Sequence, residues 1–138
     1  MKTNTIELYI HIPFCKSKCR YCDFCSFRAE EETIHTYLGK LKEELIFWGK
    51  KLAARDVVTV FIGGGTPSYL RREDIQMICE TIFEHFHICE DAEITIEANP
   101  GTVDLKKLCT YRENGINRIS FGLQSTVKEE LELSLIHI

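Results

Sequence analysis

Four short strand-like runs alternate with three helix-length amphipathic stretches, and this alternation limits the possible folds more than any other feature of the chain. The runs are Leu8 to Ile12 (LYIHI), Val57 to Ile62 (VVTVFI), Ala92 to Ile96 (AEITI) and Arg118 to Phe121 (RISF). Their length and β-branched content predict strands. Between the first two, Ile34, Tyr37, Leu38, Leu41, Leu45, Trp48 and Leu52 draw one helical stripe, with Glu30 to Glu32 at its positive end. Ile75, Ile78, Ile82 and Phe86 mark a second helix. Leu105, Leu108 and Tyr111 mark a third, with Gly115 placed as its left-handed stop. The order β-α-β-α-β-α-β predicts a parallel sheet with right-handed crossovers, an α/β fold. VVTVFI is continuously apolar, which predicts a strand covered on both faces. Three βα units plus a fourth strand make a partial barrel, since closure takes more strands.

Function is expected at one end of that sheet. Each predicted strand runs straight into an unusual segment: a cysteine loop, then GGGTPS, EANPG and GLQS. In parallel α/β folds the carboxyl ends of the strands share a face, and that face carries the site. The four segments are therefore expected to converge.

Seven cysteines are many for 138 residues, and Cys15, Cys19, Cys22 and Cys25 fall within eleven positions. An odd count with no signal-peptide pattern argues against a disulfide framework, so clustered thiols point to metal in a reducing, cytoplasmic setting. Cys79, Cys89 and Cys109 are scattered and read as ordinary semi-buried residues. Net charge is −4 without a basic run, which gives no case for nucleic acid. No apolar stretch approaches the about 18 residues that a membrane span needs.

Cys15, Cys19 and Cys22 form C-x3-C-x2-C. Three thiolates on one loop can hold three corners of a [4Fe–4S] cubane and leave the fourth iron open to a small molecule. Two other readings stay open at this point. One is a structural zinc site with Cys25 as fourth ligand. The other is a four-thiolate electron carrier, since Cys19, Cys22 and Cys25 also read C-x2-C-x2-C. Cys25 is read as a non-ligand beside the cluster.

The stretch LYIHIPFCKSKCRYCDFCSF, Leu8 to Phe27, resembles the signature of radical S-adenosylmethionine (SAM) proteins related to oxygen-independent coproporphyrinogen III oxidase. FIGGGTPSYL, EITIEANPGTV and GINRISFGLQS resemble later blocks of that family in the same order. The resemblance implies the N-terminal part of a TIM-like radical SAM barrel, with the first three βα units and the fourth strand. It implies a cluster on Cys15, Cys19 and Cys22, with SAM on the open iron, cleaved by one electron to begin radical chemistry. It also implies SAM contacts from Gly64, Gly65 and Thr66 at the methionine end, from Glu97 and Gln124, from the Tyr9 ring and hydroxyl, and from the Tyr21 backbone. An electron donor such as flavodoxin or ferredoxin is implied as well.

Within this family the oxidases carry a further cysteine two residues after the third ligand. Position 24 here is Phe24, and CDFCSF resembles the heme-chaperone (HemW-type) branch instead. That branch implies binding of heme or porphyrin and delivery of heme to a recipient protein. The alternatives are a genuine coproporphyrinogen III oxidase of heme biosynthesis, or a non-catalytic iron–sulfur or zinc module. His11 is expected to be a satisfied core histidine, and Trp48 a helix-packing residue. Residues 1–132 are expected to be part of a radical SAM core domain. LSLIHI, residues 133–138, departs from the family pattern and is read as a non-native tail on a truncated chain. Such a chain is expected to be inactive alone and prone to aggregate through an open sheet edge.

Overall fold

A computed structural model of the chain describes residues 4–19 and 21–134. The elements in order are β1 (Thr5–Ile12), α1 (Glu31–Lys51), β2 (Asp56–Gly64), α2 (Arg72–His85), β3 (His87–Ala98), α3 (Leu105–Glu113), β4 (Arg118–Phe121) and α4 (Lys128–Ser134). The predicted alternation is present in full. Strand β4 has the expected bounds, while β1, β2 and β3 are each longer than their apolar cores. Strand β3 starts at His87, directly after α2, so His85 and His87 belong to different elements. Helix α4 was not anticipated, and it continues two residues into the segment read as a tail. Residues 135–138 lie outside the described residues.

Local chemistry fixes the helix ends. Glu31 and Glu32 occupy the first turn of α1 and Lys50 and Lys51 its last, matching the helix dipole. Helix α2 opens with Asp74 accepting from the Arg71 backbone N–H at 3.2 Å, and α3 with Asp104 accepting from Lys107 N–H at 2.7 Å. Gly115 stops α3 at φ +85°, as its position predicted.

The four strands are parallel in the order β1-β2-β3-β4, with β1 and β4 at the edges among the described residues. Register sets two neighbouring rows across the whole sheet. Ile10, Ile62, Ile96 and Ile119 stand side by side, and so do Tyr9, Phe61, Thr95 and Arg118. Side chains alternate along a strand, so these rows face opposite sides. The isoleucine row packs beneath the helices with Leu38 and Leu45 of α1, Ile75, Ile78 and Ile82 of α2, and Tyr111 of α3. Each such burial contributes about 1.5–3 kcal/mol.

One expectation needs correcting. Strand β2 is fully buried on one face only: Val57, Val60 and Ile62 are buried, while Thr59 and Phe61 are partly buried. A register shift between Val57 and Thr59 breaks the alternation, so the run reads as uniformly apolar although just one face is fully packed. Trp48 likewise stays 44% exposed, with its indole N–H on Glu44 at 3.3 Å.

Candidate functional site: a cysteine cavity at the carboxyl ends of the strands

The cysteine loop leaves β1 and is pinched shut at its base. Phe14 bridges Phe27, Cys15 N–H donates to Phe27 O at 3.1 Å, and Phe27 N–H donates to Pro13 O at 2.8 Å. Phe14 is fully buried, with Phe27 and Tyr37 packed edge-on at 5.6 and 5.2 Å. Inside the loop, Cys22 N–H donates to Cys19 O at 3.2 Å, and Lys18 Nζ holds Phe24 O at 2.6 Å and Ser26 Oγ at 3.2 Å. The chain thus closes a loop in which Cys15, Cys19 and Cys22 are partly buried while Cys25 is exposed.

The GGGTPS segment lies directly against this loop. Gly65 N–H donates to Ile12 O and Thr66 N–H to Phe14 O, each at 2.8 Å. Gly64 has φ +120°, a conformation that L side chains rarely adopt. A Cβ on Gly65 would sit 2.7 Å from Phe14 O and 3.0 Å from Cys15 Sγ, so any side chain there would push on the sulfur. Glu97 at the end of β3 accepts from Gly64 N–H at 2.9 Å. Gln124, just past β4, has a left-handed backbone with φ 64°.

Cys15, Cys19, Cys22, Tyr21, Gly65, Thr66 and Gln124 line one cavity of about 330 Å³. A smaller hollow of about 140 Å³ adjoins it and takes in Gly64 and Glu97. The structure therefore brings the four strand-end segments together. Tyr9 is the exception. It is 60% exposed on the open face of the sheet and lines neither hollow. It reaches the loop through His11, whose Nδ1 is 3.0 Å from Tyr9 Oη and whose Nε2 is 3.0 Å from Cys25 O. A carbonyl only accepts, so Nε2 carries the proton and Tyr9 donates to Nδ1. His11 is satisfied, as expected, but lies half-exposed at the loop rather than in the core.

The electrostatics mark the same cluster of sulfurs. Burial raises the Cys19 thiol above its ordinary range; a hydrogen bond from Tyr21 opposes this, and the Cys22 and Cys15 sulfurs raise it further. Burial, then the Glu97 charge, raises the Tyr9 phenol. Cys19 thus feels the sulfurs of Cys22 and Cys15, and three thiols so grouped are a good donor set for a polynuclear cation. Among the described residues, no group of three or more His, Cys, Asp or Glu side chains closes around a single metal ion. A cubane takes its thiolates on separate irons and does not require them to meet at one point. The donor set therefore fits a cluster.

Several residues here carried no signal in the sequence reading. Ser68 is fully buried, and its hydroxyl meets those of the EANPGT segment: Asn99 N–H donates to Ser68 Oγ at 3.1 Å, and Ser68 and Thr102 share a hydrogen bond. Lys107 of α3 donates to Ser68 O at 2.7 Å and Thr102 O at 3.0 Å. Burial lowers its ammonium below the usual lysine range, against the opposing charges of Asp104 and Glu73. The quoted block EANPGT contained Asn99 and Thr102, but a single helix lysine is indistinguishable in sequence from a solvated one.

Known proteins agree with this geometry. The family model described as the radical SAM superfamily matches residues 9–136. The heme chaperone HemW of Escherichia coli (strain K12) is 42% identical over 99% of this chain and 37% of its own length. HemW of Bacillus subtilis (strain 168) is 38% identical over 90% of this chain and 33% of its own length. The oxygen-independent coproporphyrinogen III oxidase of E. coli is 36% identical over 90% of this chain and 27% of its own length. The solved coproporphyrinogen III oxidase (HemN) of E. coli, described as a radical SAM enzyme, superposes with a TM-score of 0.91 at 33% identity, covering 99% of this chain and 32% of that one. The chain spans about a third of the length of these relatives. No helix among the described residues is long and apolar enough to cross a membrane. SAM and a [4Fe–4S] cluster are the general cofactors of the matched family. By its match over nearly the whole chain, by its parallel sheet and by its relatives, this chain belongs to the radical SAM superfamily.

Proposed function

We propose that the chain forms the cluster- and SAM-binding part of a heme chaperone of the HemW type, working in the cytoplasm. The observation that carries the proposal is the single cavity shared by Cys15, Cys19, Cys22, Gly65, Thr66 and Gln124. In this reading Cys15, Cys19 and Cys22 hold the cluster. Gly64, Gly65, Thr66, Glu97, Gln124 and Tyr21 bound the space for SAM, and Tyr9 borders it through His11. A cluster held there and reduced by a flavodoxin- or ferredoxin-like donor would supply the electron for SAM cleavage.

The chain's own contribution is positional. Phe14 fills the apolar floor of the loop and keeps water from that side, with the more exposed Phe27 packed edge-on against it. Gly65 lets the second strand approach Cys15 without a side chain between them. Glu97 is oriented by Gly64 N–H, which leaves its carboxylate facing the smaller hollow as an acceptor for hydroxyl or amino hydrogens. Phe24 occupies the position where the oxidases carry a further cysteine, and this favours heme delivery over coproporphyrinogen oxidation.

Anaerobic reconstitution of the full-length protein with iron and sulfide, then dithionite and SAM, should yield 5′-deoxyadenosine. Heme binding without coproporphyrinogen turnover is the expected outcome for the chaperone. Turnover of coproporphyrinogen would reassign it to the oxidase reading, and a product with zinc alone would overturn both.

A further inference from the structure

We propose that the Thr66 hydroxyl, held in place by Asn99, donates a hydrogen bond to the Cys15 sulfur and so raises the reduction potential of the cluster. The inference rests on the reading of Cys15 as a cluster ligand. Thr66 Oγ1 lies 3.5 Å from Cys15 Sγ and 3.1 Å from Asn99 Nδ2, and Thr66 is 6% exposed. An amide nitrogen only donates, so Asn99 supplies the hydrogen in its contact with Thr66. The hydroxyl's single proton is then left for the sulfur.

Both partners are held from several directions. The Thr66 backbone is fixed by Phe14 O, at 2.8 Å from its N–H, and by Tyr69 N–H, at 2.9 Å from its carbonyl. Asn99 is fixed through its own N–H on Ser68 Oγ at 3.1 Å and its carbonyl, which accepts from Thr102 Oγ1 at 2.6 Å. Lys107 ties Ser68 and Thr102 together from α3. The hydrogen bonds thus run unbroken from α3, through the ends of β2 and β3, to the first cysteine of the loop. Thr66 and Asn99 are positioning residues in this account, acting through Cys15.

The physical effect follows from charge. Reduction adds an electron, and the added negative charge spreads onto the thiolate sulfurs. A donor aimed at one sulfur stabilises the reduced form more than the oxidised form. Thr66 is itself nearly enclosed, which holds its hydroxyl in one direction at the sulfur.

The test is an EPR-monitored redox titration of the anaerobically reconstituted protein without SAM, alongside iron analysis. Thr66→Val removes the hydroxyl at nearly constant volume and should move the midpoint to more negative potential with iron content unchanged. Thr66→Ser should restore the wild-type midpoint. Asn99→Ala frees the hydroxyl to turn and should give a smaller shift in the same direction. A wild-type midpoint in Thr66→Val, or a Thr66→Ser midpoint equal to that of Thr66→Val, overturns the proposal. Should Thr66→Val take up no iron, Asn99→Ala decides: a lowered midpoint supports the proposal and an unchanged one overturns it. Retention of a full cluster by Cys15→Ala would instead remove the reading beneath, and the proposal with it.

Discussion

Ile10, Ile62, Ile96 and Ile119 form one row of the sheet, and a few residues on, just past the ends of the same strands, lie Cys15, Thr66, Asn99 and Gln124. The two regions share a backbone but differ in what holds them. The isoleucine row is closed by apolar contact with three helices and depends on volume. The strand ends are held by directional bonds between side chains and loop backbone, such as Lys107 to Ser68 and Asn99 to Thr66. Apolar packing tolerates a neighbour of similar size, whereas a hydrogen-bonded cluster tolerates only the same atoms. Stability and function should therefore separate by region.

The largest expected separation comes from the cysteines. Cys15→Ala, Cys19→Ala and Cys22→Ala should each abolish iron uptake, while Cys25→Ala should retain it; iron analysis after anaerobic reconstitution reads the difference. In the other region, Ile78→Ala should cost about 2–5 kcal/mol in denaturant unfolding, because Ile78 is fully enclosed between α2 and the sheet. Ser68→Ala lies between the two in effect. It strands the partly buried Asn99 N–H and should cost about 1–3 kcal/mol while also lowering the yield of reconstituted cluster. Equal losses of stability and iron across all these variants would break the comparison.

The smallest effects sharpen it. The Tyr111 hydroxyl is buried with no hydrogen-bond partner among the described residues, so Tyr111→Phe should leave stability unchanged or raise it by up to about 1 kcal/mol. Burial pushes the Cys79 thiol up to about 12. At pH 8 it is protonated and enclosed, so native-state alkylation read by mass spectrometry should spare Cys79 and modify exposed Cys109.

Much of this architecture was legible in the chain because its signals are local. The 3.6-residue stripe of α1, the left-handed Gly115 and the alternating RISF of β4 each reflect a backbone preference or a periodic face. The clustering of strand-end segments followed from topology, since parallel strands put their carboxyl ends on one side. What escaped detection was contact between segments remote in sequence. Lys107 reaches Ser68 across 39 positions, and nothing in an amphipathic helix marks which lysine turns inward. The half-open face of β2 was hidden by a register shift, because apolar residues on both faces look alike in a run of six. Helix α4 is short and acidic, with Glu129 and Glu130 in its first turn and no apolar stripe to announce it. Tyr9 stands apart from the cysteine cavity because it sits three residues short of the carboxyl end of β1, although it shares a sheet face with Glu97.

The central claim is that three sulfurs of this loop hold a cubane with one iron free for SAM. EPR of the anaerobically reconstituted, dithionite-reduced protein, recorded with and without SAM, tests it most directly. The account predicts a [4Fe–4S] signal whose g-values change when SAM is added, in wild type and in Cys25→Ala alike. A signal indifferent to SAM that vanishes in Cys25→Ala would show that protein thiolates bind all four irons, and would contradict it.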